Sequence, residues 1–333
     1  MTYYTLTLCL ALAAFLLINV LGTLIVTAFW LCLRRHISGT QARIRAGILF
    51  CLRLLPPAFA SIFIIALLIP AYLLYEPYPT PEAVGLPLLS LAALSFSGIA
   101  YAAYRATTSW RMTKRMIAAW LRRAEPMCVG YLEIPAYRLH NMPPVLAVVG
   151  TLRPRLFAAT QVLDSLSSEE VMVALAHERG HLLAQDTLKR ALMNFCRHLL
   201  LSTGIGHMLD REWAKEAERA ADEYAARESA ASALDLAAAL IKIARLMPER
   251  AGSIMPAGAF LLEGADEGVA GRVLRLTQMA SVPRTTAAPK SFLSKAVTSA
   301  ALVLFLLVFV AAVNQQTFEA LHTLTERVIK LLT

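Results

Sequence analysis

Residues Ser165 to Asp186 read SLSSEEVMVALAHERGHLLAQD. Ser167 followed three residues later by Glu170 is the opening of a capped helix, in which each side chain satisfies the other's backbone N–H. Apolar Val171, Leu175 and Leu182 then recur at helical spacing. The helix carries His177-Glu178-Arg179-Gly180-His181. Residues four apart share a helix face, so the two imidazoles can converge on one ion. Glu178 directly follows the first histidine, where a carboxylate can hold a water molecule and take its proton. Gly180 weakens an ordinary helix by roughly 1 kcal/mol relative to Ala. A close backbone approach, or room for a substrate, would justify it. Two histidines on a helix can also be plain surface residues, so a further ligand is needed to decide.

A catalytic zinc takes three protein ligands and keeps one position open. The alanine-rich stretch REWAKEAERAADEYAARESA, Arg211 to Ala230, is strongly helical, and Glu218 and Asp222 share one of its faces. Glu218 is the candidate third ligand. Asp222 is placed to accept a hydrogen bond from a ligand histidine and fix its tautomer. Glu212, Glu216 and Glu223 are the alternatives on the same helix. Asp186, just beyond His181, either steadies the site or caps the helix end.

Outward from this core the chain turns apolar. Of its 333 residues 57% are hydrophobic and 17% charged, too few charges for an ordinary soluble protein. The apolar content falls in four blocks: Thr5–Leu33, about Leu54–Tyr75, about Val84–Tyr104 and about Ala296–Val313. The first has no charged residue and is ample for a hydrocarbon core of about 30 Å. It lacks a basic leader and a cleavage site, so it reads as a span rather than a signal peptide. Arg34, Arg35, Arg43 and Arg45 follow the first block, and Arg105, Arg111, Lys114, Arg115, Arg122 and Arg123 follow the third. Arg284, Lys290 and Lys295 precede the fourth, whereas EPYPTPEA after the second has no basic residue. The positive-inside rule then makes the three basic segments and the middle of the chain cytoplasmic. The net charge of +9 is assigned to this topology and to anionic lipid headgroups, not to nucleic acid, for which no motif is present.

Trp110–Arg123 reads either as an interfacial amphipathic helix or as an extension of the third span. Leu188–Leu209 is apolar enough to lie on or dip into the membrane, but Arg197 and His198 interrupt it. His198 and His207 read as interface or surface histidines. Val145–Gly150 and Leu156–Thr160 read as two strands joined by a turn at Arg153-Pro154. None of the five cysteines forms a CxxC pair, which argues against a disulfide framework or a cysteine zinc site.

The stretches LRPRLFAATQVL, LSSEEVMVALAHERGHLLAQD, EAERAADEYAA and GRVLRLTQ together resemble the integral-membrane zinc peptidases of the beta-lactam-sensor (Bla/Mec regulator) type. More distantly they resemble the HtpX and CAAX prenyl protease group. The likeness runs from about Pro143 to Leu276. It implies Zn2+ held by His177, His181 and Glu218, Glu178 as the base, Asp222 behind the ligands, and Arg272 near the active centre. The expected architecture is mainly α, a multi-span membrane protein with a gluzincin-like HExxH zinc peptidase domain and a small β-hairpin or sheet. Residues 1–124 would hold three transmembrane helices and an interfacial helix, 125–290 the cytoplasmic peptidase domain, and 291–333 a fourth transmembrane helix with a short extracytoplasmic tail. The resemblance also implies that a strand edge presents an extended peptide to the metal. The large extracellular penicillin-binding domain of those sensors has no counterpart in the roughly twenty residues after Val313, and the tail contains no Ser-x-x-Lys. The expected activity is endoproteolysis in a multi-pass inner (cell) membrane, with a transcriptional repressor or a membrane protein as substrate. A quality-control protease and a non-catalytic membrane adaptor or receptor are the other readings.

Overall fold

A computed structural model describes residues 2–75, 85–130, 133–227, 229–247, 268–281 and 323. The chain is mainly helical with one small sheet. Three helical stretches are long and apolar enough to cross a membrane. They are α1 (Thr2–Leu33), α2 (Ala42–Phe63) continuing through a π-helical turn at Ile64–Leu68 into α3 (Ile69–Tyr75), and α4 (Leu86–Leu121). The expected fourth span lies outside the described residues.

The π turn has a local cause. Pro70 has no N–H to offer the helix and its ring crowds the carbonyl four residues back. The preceding turn widens instead, and Ile69 N–H reaches Ile64 O. The stretch Trp110–Leu121 is not a separate interfacial helix; it continues α4 without a break. At 1.5 Å per residue α4 is about 54 Å long, well beyond a hydrocarbon core of about 30 Å. A helix of that length crossing a membrane would leave its basic end clear of the apolar layer; that end leads into the sheet.

That sheet has strands β1 (Ala124–Met127), β2 (Ala136–Leu139), β3 (Leu146–Val149) and β4 (Arg155–Ala159), in the order β1-β2-β4-β3. β3 and β4 are the antiparallel pair expected from the sequence. β2 joins β4 in parallel, and β1 joins β2 antiparallel. β3 is thus a terminal strand. Behind the sheet pack α5 (Thr160–Ser165), α6 (Ser168–Ala184), α9 (Ala230–Leu246) and α10 (Gly268–Ser281), around Leu139, Leu156, Phe157, Val162, Leu236 and Leu240. α7 (Asp186–Leu199) and α8 (His207–Ala225) lie between this unit and the long helices. The apolar stretch Leu188–Leu209 is therefore split. Its first part is α7, and a turn containing Leu201, Ser202, Gly204 and Gly206 at positive φ reverses the chain into α8.

α7 meets α4 in backbone contact. A Cβ on Gly98 would stand 2.2 Å from Leu199 O, so no larger residue fits without moving a helix. Gly98→Ala should lower the melting temperature of the detergent-solubilised chain, with a destabilisation of about 1–3 kcal/mol typical of overpacking. Gly47→Ala, where nothing lies within 4 Å of the added methyl, should leave it unchanged or raise it slightly.

Candidate metal centre

The capping box at the start of α6 forms as expected: Glu170 N–H donates to Ser167 Oγ, and Ser167 N–H donates to Glu170 Oε2. Lys242 of α9 adds an ion pair to Glu170 at 2.7 Å. Thus anchored, α6 directs His177 and His181 toward α8 and Glu178 toward β3. The helices approach closely because position 180 is glycine. A Cβ there would meet Ala221 Cα at 3.1 Å and Tyr224 Cβ at 3.4 Å.

Among the described residues, His177, His181 and Glu218 are the one group of side chains able to hold a metal ion together. The two Nε2 atoms are 3.1 Å apart. Glu218 Oε2 lies 3.6 Å from His177 Nε2, and Oε1 lies 3.7 Å from His181 Nε2. Ligand atoms about 2.0–2.1 Å from a tetrahedral zinc are roughly 3.3 Å from one another. The triangle thus has the dimensions of one face of a zinc coordination sphere, and its two-nitrogen, one-oxygen donor set suits that ion. Glu212, Glu216 and Glu223 are engaged elsewhere. Glu212 pairs with Lys215, Glu216 with Arg45 and Arg219, and Glu223 Oε2 accepts from Ala42 N–H. His198 and His207 are not in the group.

Both imidazoles are held from behind by carboxylates. Asp222 Oδ1 lies 3.1 Å from His177 Nδ1, and Asp186 Oδ2 lies 2.8 Å from His181 Nδ1. A proton kept on each Nδ1 by its carboxylate is what lets Nε2 serve as the ligand atom facing the shared centre once it has lost its own proton. Asp222 is in turn gripped by Arg272, with Nη2 at 2.7 Å and Nε at 3.2 Å, and by Arg275. Arg272 Nη1 also lies 3.2 Å from Glu218 Oε2. Arg272 is therefore buried behind the carboxylates, where it balances their charge; it is neither a helix-surface residue nor part of the cleft lining.

The protonation preferences follow from burial and these partners. Burial alone would raise Asp222, but Arg272 and His177 outweigh it and hold the carboxyl at about 2. Glu218 is held well below the usual carboxylate range in the same way, against burial, by the charge of His181 and by hydrogen bonds from both histidines. For His181 burial opposes the charge, yet Glu218 and Asp186 raise its pKa to about 10. Glu178 goes the other way. Burial pushes it above the ordinary range, only partly offset by the two histidines and by a hydrogen bond from Val148 N–H at 2.9 Å.

That last bond joins the site to the sheet. Val148 belongs to the terminal strand β3, and its N–H points away from β4 toward Glu178. A cleft of about 40 Å³ opens between Ala147 and Val148 of β3, Glu178 and His181 of α6, Arg190 of α7 and Glu218 of α8. That volume is room for about one water molecule. Arg190 was not anticipated from the sequence. It stands four residues after Asp186 on a new helix, and only the sharp turn at Gln185, with φ of 55°, brings it over the site.

No protein-family model matches the chain, and no curated protein matches it.

Two outcomes test the centre. Asp222→Asn should weaken zinc binding by roughly 10–100-fold, the usual effect of losing a carboxylate behind a ligand histidine, read by competition with a chromophoric chelator. Zinc uptake at neutral pH should also release a proton, because His181, with its pKa near 10, must give up its charge to become a ligand. Calorimetric titrations in buffers of differing ionisation enthalpy measure that proton, and affinity should climb as pH is raised from 6 toward 9.

Proposed function

We propose that this chain is a membrane-embedded zinc-dependent endopeptidase. The observation that carries the reading is one cleft lined by His181 and Glu218 of a histidine–histidine–glutamate triangle, by a buried carboxylate of raised pKa beside them, and by a terminal strand. The resemblance of the four sequence stretches to the beta-lactam-sensor type of membrane zinc peptidase agrees with it.

His177, His181 and Glu218 would hold the zinc. Bound there, zinc supplies Lewis acidity toward a carbonyl oxygen and lowers the pKa of water toward about 7. The remaining work falls to the chain itself. Glu178 takes a proton from the attacking water and delivers it to the leaving amine; burial has already raised its pKa, as a base working near neutrality requires. Val148 N–H steadies the carboxylate beside the cleft. With Val148 N–H engaged by Glu178, the other outward backbone groups of β3 would offer hydrogen bonds to an extended peptide, which positions the scissile bond without demanding a particular side chain. Asp222 and Asp186 keep both rings oriented, and Arg272 balances the two buried carboxylates.

The orientation proposed is catalytic unit inside. Arg45, in the basic segment after the first span, pairs with Glu216 of α8 at 2.7 Å. That contact supports a common side for the basic segments and the metal centre, and the positive-inside rule supports the cytoplasm. The substrate class is protein, either a cytoplasmic transcriptional repressor or a membrane protein.

Glu178→Gln should retain zinc at the wild-type stoichiometry while peptide hydrolysis falls by about 10²–10⁴-fold, the range for loss of a positioned general base. The measurement is metal content beside cleavage of a proteome-derived peptide library by the full chain in nanodiscs. Normal cleavage by the variant would remove the proposed mechanism.

A further inference from the structure

We propose that Arg190 is the residue that stabilises the negatively charged oxygen formed when a peptide carbonyl is attacked at this centre. This inference rests on the zinc-peptidase reading and adds a catalytic residue to it. Among the described residues lining the cleft, Arg190 is the only arginine or lysine. Its side chain is 23% exposed, whereas that of Arg272, which pairs with Asp222 and Glu218, is 2% exposed and lies outside the cleft lining. Arg190 Nη2 lies 3.9 Å from Glu218 Oε1, beyond hydrogen-bond length yet next to the ligand triangle. The guanidinium carbon sits 5.8 Å from the centre of the Trp213 ring, so an aromatic face on α8 helps to hold it over the cleft.

Glu178, which holds the Val148 N–H, and Arg190 line the same cleft. A peptide extended along β3 would bring its scissile carbonyl into that cleft. Water, deprotonated by Glu178, forms a C–O bond to the carbonyl carbon, and the C=O π pair moves onto the oxygen. Arg190 donates hydrogen bonds to that oxygen. When the pair returns, the C–N bond breaks and the amine leaves with the proton carried by Glu178. No oxidant or further reactant is needed. Donors fixed in place before charge develops are the largest single source of rate in such reactions.

The test compares two ligands in the zinc-loaded full chain in nanodiscs: a capped phosphinic pseudopeptide library, whose tetrahedral anion mimics the charged oxygen, and the matching amide peptides. The amides are measured in the Glu178→Gln background so that they stay intact. Arg190→Ala should weaken phosphinate binding by about 10²–10³-fold, leave amide binding within about threefold, and leave zinc content unchanged. Arg190→Lys should recover part of the loss. Equal weakening of both ligands would make Arg190 a substrate anchor and overturn the assignment, as would undiminished phosphinate binding or loss of zinc from both variants. Failure of the unaltered chain to bind zinc or any phosphinate would instead defeat the peptidase reading, and the inference with it.

Discussion

Two carboxylates four residues apart on α8, Glu218 and Asp222, are almost wholly removed from solvent. An uncompensated carboxylate in the interior costs several kcal/mol even after relaxation. Much of the surrounding architecture answers that cost. α6 brings two imidazoles to one side of the pair, and α10 brings Arg272 and Arg275 to the other. Gly180 removes the side chain that would keep α6 from α8 at the required distance. The imidazoles and Glu218 together could also hold a metal ion.

The same helix is tied along its length to a membrane-spanning candidate. Arg53 of α2 donates from Nε to Asp210 at 3.0 Å, Arg45 pairs with Glu216, and Ala42 N–H reaches Glu223. These partners run in opposite order along the two helices, so α8 lies antiparallel to α2. Arg53 is fully buried, and a side chain on Gly206 would strike its guanidinium at 3.1 Å. Such a pair adds little net stability, but it fixes register. The helix that carries Glu218 is thereby held in register with α2.

How far the sequence discloses this depends on the range of each interaction. The capping box, the paired histidines and the pairing of Glu218 with Asp222 are local helical spacings, and all appear where the residues themselves suggest. β3 and β4 are legible because VLAVVG and LFAAT flank a turn. β1 and β2 are not: Ala124–Met127 contains Glu125 and Pro126, Ala136–Leu139 contains Arg138, and each strand is only four residues long. They become strands through pairing with β4. The ambiguity at Trp110 resolves as unbroken helix, since nothing in the stretch breaks one. That Glu216 is engaged by Arg45 and Arg219, and that Arg190 lines the cleft while Arg272 lies behind the carboxylates, depends on where α2, α7 and α10 dock.

The position of Arg272 has a bearing on biogenesis. It follows Asp222 by 50 residues, so during synthesis His177, His181, Glu218 and Asp222 all leave the ribosome before the guanidinium that pairs with both acids does. A nascent or truncated chain ending before α10 carries in Asp222 an acid that favours hydration over burial, which keeps α8 from settling against α6. Closure of α6 on α8 would then be completed only late in translation.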